Sequence, residues 1–357
     1  MAIVSPFPPP YGGMAVQAEK LCNRLVDEGF TVDRIIANPR FPSLLSGFEK
    51  IPVIRTVVRF IIFARSLNRI RSAGLVHILA ASHLYFFVVV VPTILFARFF
   101  GKRTILNYRG GEAEVFFIRW RGIVRPFVKM AHLIAVPSPF LQDVFSRYFN
   151  VSTHILPNLA DLESFSFVER KTVQPVLIVS RQLERIYNHE CILRAFSLIK
   201  NSYPHAKLNI AGAGSEEGRL RELVDQLDLQ DVIFLGALTH DQLARVYDES
   251  SIMVNASLAD NFPGSLLEAF MCGLPVVTTS VGGIPWMVKH EVSGLLVSSD
   301  DHVSLAAAVE KLIECPDLAF ELARNARQKA ESYRWEEIKK VLFSLYEESS
   351  TDRRATN

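Results

Sequence analysis

Residues 252–283 read IMVNASLADNFPGSLLEAFMCGLPVVTTSVGG. The apolar run Ile252 to Val254 breaks into a polar loop, Asn255 to Pro263. A helix-like stretch from Gly264 to Cys272 follows, Gly273 stops it, and Pro275 to Thr279 begins another strand. Two carboxylates stand eight positions apart, Asp260 in the loop and Glu268 one to two turns inside the helix. With the helix beginning near Pro263, the amides of Phe262, Gly264 and Ser265 are expected to be unpaired and to converge at its positive end. That setting suits a phosphate or pyrophosphate, and Pro263 has no amide to give. Carboxylates beside a diphosphate repel it unless they face hydroxyl groups. The ligand implied has phosphates in the middle and hydroxyls on both sides, which describes a nucleotide sugar. The same residues also fit an ordinary helix start with a capping Asp and a surface Glu.

Outward from this stretch, strand-like and helical runs alternate twice. In the first half the strands are Ala2 to Ser5, Thr31 to Ala37, Leu75 to Ala80, Arg103 to Tyr108, His132 to Val136 and Thr153 to Leu156, with helices such as Gly13 to Glu28 and Pro139 to Tyr148. In the second they are Pro175 to Ser180, Ala206 to Ala211, Val232 to Leu235, Ile252 to Asn255, Pro275 to Thr279 and Gly294 to Val297. Such alternation predicts parallel sheets covered on both faces. The fold expected is α/β: two doubly wound Rossmann-like domains facing a cleft, with ligands at the carboxyl ends of strands. The first domain is drawn over 1–165 and the second over 170–334, with a linker near Asp161 to Gln174 and a disordered tail from Ser349 to Asn357.

The 357 residues exceed one ordinary core, and 49% hydrophobic against 21% charged residues describe a globular chain. The four cysteines, Cys22, Cys191, Cys272 and Cys315, show no metal or disulfide spacing, which fits a reducing cytoplasm. The N-terminal strand and Pro-rich loop do not read as a signal peptide. The net charge of +2 hides a division: residues 1–150 carry 19 Lys and Arg against 8 Asp and Glu, and residues 151–357 carry 20 against 29. The basic half points to an anionic ligand or surface, such as acidic lipid, a phosphate-bearing acceptor or nucleic acid, or to a merely solvated basic face. Leu84 to Phe100 is almost wholly apolar, yet 17 residues interrupted by Pro92 fall short of a bilayer span, so a buried or interfacial helix is expected. A helix over Ile54 to Ile70 would gather Arg55, Arg59, Arg65 and Arg69 in a basic stripe, fitting either a membrane surface or a core helix whose arginines reach for water.

Three further loops are candidates for ligand contact. Gly12 and Gly13, in PPPYGG, let backbone approach a ligand at the start of the first helix. IAGAGSEEG, with Gly212 and Gly214, has GxGxxxG spacing rather than the dinucleotide GxGxxG. The next strand ends without an acidic residue for a ribose, which argues against a dehydrogenase. Arg181 directly follows a strand and is a fixed cation suited to pyrophosphate, or to a surface salt bridge.

Together these residues resemble the family 4 retaining glycosyltransferases of the GT-B fold over nearly the whole chain. Asp260 to Glu268 resembles that family's E-x7-E motif with Asp first, and LLEAFMCGLPVVTTSVGGIP continues it. Gly12-Gly13, Arg181, the glycines at 212 and 214, Pro157-Asn158 with Asp161 and Phe165, and the C-terminal helix 335–348, which in the family crosses back to the first domain, match as well. Three places depart. Ile186 and Tyr187 stand where a phosphate-binding Lys is usual, leaving Arg185 as the nearest substitute; Arg109-Gly110 replaces His-Gly; and Trp286 replaces an acidic residue.

What the resemblance implies is a metal-independent hexosyltransferase that retains anomeric configuration, using a UDP- or GDP-sugar as substrate and no separate cofactor. Asp260, Arg181 and Arg109 are the catalytic candidates. Gly12, Gly13, Arg181, Arg185, Gly212, Phe262, Gly264, Ser265, Leu267 and Glu268 are the donor-binding candidates, with Glu268 on the ribose, Asp260 on the donor sugar and Arg109 facing a phosphate or an acidic acceptor. The acceptor expected is lipid-linked or a glycan, in cell-surface polysaccharide synthesis, with the protein peripheral on the cytoplasmic face of an anionic membrane and no nucleic-acid partner. A sugar-nucleotide epimerase and a non-catalytic sugar-nucleotide binder are the alternatives.

Overall fold

A computed structural model describes residues 1–9, 12–42, 47, 51–159, 162–170 and 172–351, with main chain alone at 52, 350 and 351. The chain divides into two units, Met1–Leu159 with Ile338–Asn357, and Ala160–Glu337.

In unit 1 the strands are β1 (Ala2–Ser5), β2 (Asp33–Ile36), β3 (Leu75–Ala80), β4 (Arg103–Tyr108), β5 (Leu133–Val136) and β6 (His154–Ile155). They form one parallel sheet in the order β2-β1-β3-β4-β5-β6. β1, β3 and β4 are buried at nearly every position, as strands covered on both faces must be. The cover is α1 (Gly13–Asp27), α2 (Pro52–Ser66), α3 (His83–Tyr85), α4 (Val91–Phe99), α5 (Ala113–Met130) and α6 (Pro139–Phe149). Phe86, Phe116, Phe117, Phe145 and Phe149 form a run of ring contacts in its core.

Unit 2 holds β7 (Val176–Ser180), β8 (Lys207–Ala211), β9 (Val232–Gly236), β10 (Ile252–Asn255), β11 (Val276–Thr279) and β12 (Leu295–Val297), parallel in the order β12-β11-β10-β7-β8-β9. Its helices are α7 (His189–Ser202), α8 (Glu217–Gln226), α9 (His240–Glu249), α10 (Gly264–Met271), α11 (Ile284–Met287), α12 (His302–Glu314) and α13 (Pro316–Glu331). The order reverses between β1 and β3 in unit 1 and between β7 and β10 in unit 2. At such reversals the loops leaving neighbouring strands part to opposite faces and leave a crevice.

The last helix, α14 (Trp335–Thr351), joins unit 1 from Ile338 onward. Phe343 packs on Phe30 at 5.3 Å between ring centroids, Lys339 pairs with Glu28 at 3.1 Å, and Tyr346 reaches His77.

Several expectations change. The tail expected from Ser349 is helical to Thr351, because Ser349 is buried and its hydroxyl bonds the Tyr346 carbonyl at 2.7 Å; residues 352–357 lie outside the described ones. The helix expected over Ile54 to Ile70 ends at Ser66 and tightens to a 3-10 helix at Leu67–Ser72. Arg69 therefore leaves the basic stripe and pairs with Asp33. The apolar segment is one helix in which Phe86–Val90 is π-helical, between α3 and α4. The widened turn precedes Pro92, which has no amide for the Val88 carbonyl. No described helix is long and apolar enough to cross a membrane.

The segment expected as linker includes Asp161, outside the described residues, and Arg170. Arg170 donates to the carbonyls of Tyr247 (2.8 Å), Ser250 (2.9 Å), Val168 (3.1 Å), Cys272 (2.7 Å) and Gly273 (3.3 Å). One guanidinium thus ties this segment to the C-terminal ends of α9 and α10.

Candidate active site

The β7/β10 reversal places the loop that begins at Arg181 beside the loop that holds Asp260. Their side chains form an ion pair, each only about one-seventh exposed (14% and 13%). The Arg181 guanidinium also lies over the Tyr187 ring, 4.1 Å from its centroid. Asp260 is fixed from three sides. Its Oδ1 accepts from the Phe262 amide at 3.2 Å, its carbonyl accepts from the Gly283 amide at 2.9 Å, and Gly282 (φ +52°) lies so close that a Cβ there would sit 2.2 Å from that carbonyl. The paired glycines after β11 therefore let two loops touch backbone to backbone.

The Phe262 amide, expected to face a ligand, is taken by Asp260. The side chain of an Asp in a loop folds onto the amide two residues on, and that local bond wins. The Phe262 ring instead packs on Tyr333 at 5.2 Å, and the Leu267 side chain is wholly buried in the core below. At the start of α10 no side chain caps the helix, and the amides of Gly264 and Ser265 have no acceptor among the described residues. The Ser265 hydroxyl, on a residue 7% exposed, and the Nε of Arg181 are likewise buried without a partner. The two amides, the Ser265 hydroxyl and the Arg181 Nε are therefore donors without an acceptor among the described residues, which is uncommon for buried polar groups.

Glu268 stands one turn further along α10, partly exposed, with the Tyr247 hydroxyl 3.2 Å from its Oε2 and 3.3 Å from the Ser265 carbonyl. Burial, then the Glu268 charge, raises the Tyr247 pKa well above its usual value, so the hydroxyl keeps its proton and donates it. Gly212 and Gly214 have a packing role. A Cβ would fall 1.9 Å from the Arg181 carbonyl at Gly212 (φ +151°) and 2.3 Å from that of Leu183 at Gly214. They let the loop after β8 seat the loop that carries Arg181.

Arg185 is exposed and is not brought to this group. It lines a separate cavity of about 720 Å³ with His189, Glu190, Arg194, Glu216 and Arg219, and neither Arg181, Asp260 nor Glu268 lines it. Buried His189 has its pKa pushed down to about 4, first by burial and then by the Arg181 charge.

On unit 1, Gly12 caps α1 without a side-chain bond, and a Cβ on Gly12 or Gly13 would meet nothing within 4 Å. Packing among the described residues therefore does not account for these two glycines. Pro10 and Tyr11 of the same loop lie outside the described residues. Arg109 follows β4; its amide bonds the Ala80 carbonyl at 2.8 Å, its Nε donates to Asn107 Oδ1 at 3.2 Å, and its Nη1 donates to Asn158 Oδ1. Gly110 next to it is required, since a Cβ would lie 2.5 Å from the Ser82 hydroxyl. Tyr247, Asn107, His77 and Tyr346 are the supporting residues that sequence reading passed over. Each sits in an otherwise apolar or helical pattern, and its partner is distant in sequence.

Residues 162–329 match the family model of the glycosyl transferases group 1. An uncharacterised glycosyltransferase of Methanocaldococcus jannaschii is 33% identical over 159 residues, covering 44% of this chain and 40% of that one. A D-inositol 3-phosphate glycosyltransferase of Corynebacterium jeikeium is 32% identical over 175 residues, 47% and 42% of the two chains. The chain thus spans about two fifths of the length of each of these relatives. Among solved structures, sucrose-phosphate synthase of Thermosynechococcus elongatus has TM-score 0.81 at 20% identity, over 97% of this chain and 98% of that one. Anabaena HepE in complex with UDP-glucose has TM-score 0.76 at 15% identity, over 98% and 99%. At these identities the structural likeness concerns the fold, which is GT-B. Residues 162–329, somewhat under half of the chain, thus match the glycosyl transferases group 1 model, and the fold shared with the solved structures is GT-B.

Proposed function

We propose that the protein is a retaining glycosyltransferase that takes a hexosyl group from a UDP- or GDP-sugar held by unit 2 and passes it to a lipid-linked or glycan acceptor held by unit 1, in cell-surface polysaccharide synthesis. The observation that carries this reading is the set of unspent donors beside Asp260 and Glu268: the amides of Gly264 and Ser265, the Ser265 hydroxyl and the Arg181 Nε. A diphosphate supplies the acceptors they lack. Glu268, aimed by Tyr247, then takes the ribose hydroxyls, and Asp260 takes those of the sugar. Because Asp260 already fixes Arg181, the charge that grows on the leaving diphosphate meets a cation set in advance. These groups, with Arg109 on the acceptor's side, run the reaction without a metal, and unchanged turnover in excess chelator checks that part.

The UDP-glucose complex of the structural neighbour makes UDP-sugars the first donors to try. A relative from Arabidopsis thaliana, named as a component of phosphatidylinositol N-acetylglucosaminyltransferase and 27% identical over 198 residues, supports the lipid side of the acceptor. We place the protein on the cytoplasmic face of the membrane, attached reversibly through unit 1.

The experiment is nucleotide release from candidate donors with and without acceptor, alongside donor calorimetry. Glu268→Gln is expected to weaken donor binding by about 1.5–3 kcal/mol, the loss of a charge-assisted hydrogen bond. Asp260→Asn is expected to lower turnover more than donor affinity, because it acts on the sugar in the transition state. Unchanged donor affinity in folded Glu268→Gln sinks the ribose assignment. Tyr187 at the usual Lys position and Arg185 turned to another cavity favour one other reading, a nucleotide-sugar binder without turnover; donor binding without nucleotide release would establish it.

A further inference from the structure

Arg109 is unlike the other cations of the candidate site. Arg181 has Asp260, whereas Arg109 is held by two neutral amides and forms no ion pair among the described residues. Burial holds its pKa down to about 10. With Nε on Asn107 and Nη1 on Asn158, the outer nitrogen Nη2 has no partner among the described residues.

A buried chain of hydrogen bonds aims this guanidinium. Asn107 Oδ1 accepts from Arg109, so Asn107 Nδ2 is the atom that faces His77 Nε2, at 2.9 Å. Nε2 therefore accepts, the ring proton sits on Nδ1, and Nδ1–H donates to the Tyr346 hydroxyl at 2.9 Å. Every link has one direction. His77 and Asn107 are wholly buried and Tyr346 is nearly so, so the chain runs from α14 through β3 and β4 to the loop after β4. A costly buried polar network that ends on a half-buried cation with no ion pair among the described residues is built for a charge that arrives from outside.

We infer that Arg109, aimed by Tyr346, His77 and Asn107, is an anion seat on unit 1 that takes a phosphate group, from the donor's diphosphate or from a phosphate-bearing acceptor. Arg109 is the binding residue, and the other three are positioning residues. The choice between the two sources rests on the transferase reading, but the seat itself does not.

The test uses the full chain with inorganic phosphate as probe, in wild type, Arg109→Gln, Arg109→Lys and Tyr346→Phe, with Arg181→Gln to mark phosphate bound at unit 2. Calorimetric titration is expected to lose one class of phosphate site in Arg109→Gln and a different one in Arg181→Gln. Arg109→Lys is expected to keep part of the affinity, having the charge but not the fork. Tyr346→Phe is expected to weaken the same site by about threefold through a loosened guanidinium, the cost of one neutral hydrogen bond. Two arms then separate the sources. A roughly tenfold loss of UDP- or GDP-sugar affinity in Arg109→Gln assigns the seat to the donor. A rise in acceptor KM confined to the phosphorylated form of an acceptor, and absent for its dephosphorylated form, assigns it to the acceptor. If Arg109→Gln and Tyr346→Phe, both folded, bind phosphate, donor and phosphorylated acceptor as wild type does, the inference is overturned. Phosphate binding lost at Arg109 in a protein that transfers no sugar would keep the seat and remove the transferase reading.

Discussion

Protonating His77 would set an Nε2–H against the Nδ2 hydrogens of Asn107, and burial, aided by the Arg109 charge, pushes its pKa down from 6.5 to about 3. Between those values the unfolded chain binds one proton that the folded chain refuses. Stability due to the neutral ring is complete above pH 6.5 and is lost as pH falls towards 3, at about 1.4 kcal/mol per unit. By pH 5 the loss is about 2 kcal/mol. Urea midpoints of wild type and His77→Gln between pH 7 and 5 check this, since the variant lacks the titrating ring and its stability should fall less steeply by that amount. Parallel curves for the two proteins would show that His77 does not titrate as its setting demands. In the sequence, LVHILA reads as a buried strand and nothing more, because the hydroxyl that fixes the ring lies 269 positions away. Asp260 and Glu268 were legible because an eight-residue spacing at a helix start is itself a pattern. Tyr247 was not, since one tyrosine on a polar helix carries no such mark.

Arg170 sets α9 against α10, and through them Tyr247 against Glu268. Its guanidinium meets the carbonyl ends of both helices, where the backbone dipoles place partial negative charge. Arg170→Met is expected to destabilise unit 2 by about 3–5 kcal/mol, because it strands several buried carbonyls at once. Arg170→Lys should restore little, since an ammonium does not reproduce the fork. Denaturant midpoints measure both, and a loss under about 1 kcal/mol for Arg170→Met would show that helix packing alone holds the pair. This staple fell where regularity lapses in the sequence, and an arginine in a loop has no period to betray it. Strands such as Leu75–Ala80, Arg103–Tyr108 and Ile252–Asn255 were legible to the residue, because apolar runs bounded by polar loops leave one assignment. The end of α2 was not, for the apolar and basic pattern runs on through Ile70 while the backbone tightens after Ser66.

Charge divides the molecule as its sequence does, 19 basic against 8 acidic residues over 1–150 and 20 against 29 over 151–357. Structure adds an apolar partner to that basic surplus. On α2, Val53, Val57, Phe60 and Ile61 are between 40% and 72% exposed and follow the spacing of one helix face. Arg55 and Arg65 are exposed on the same helix, while Arg69 is spent on Asp33. An outward apolar seam beside arginines is the pattern of a helix lying in the headgroup layer, where buried area and attraction to anionic lipid act together. Each basic residue near an anionic leaflet contributes about 1 kcal/mol, and salt screens it. The expected outcome is that wild type sediments with vesicles of phosphatidylglycerol and phosphatidylcholine at low salt and releases partly at high salt. Arg55/Arg65→Glu should lose the salt-sensitive part, and Val57/Phe60/Ile61→Ser should lose the part that survives salt. Arg69→Glu should not be counted as a surface change, since it also breaks the pair with Asp33. If wild type ignores the anionic vesicles at low salt while still binding donor, attachment through α2 fails and a soluble acceptor becomes the better account of the basic half.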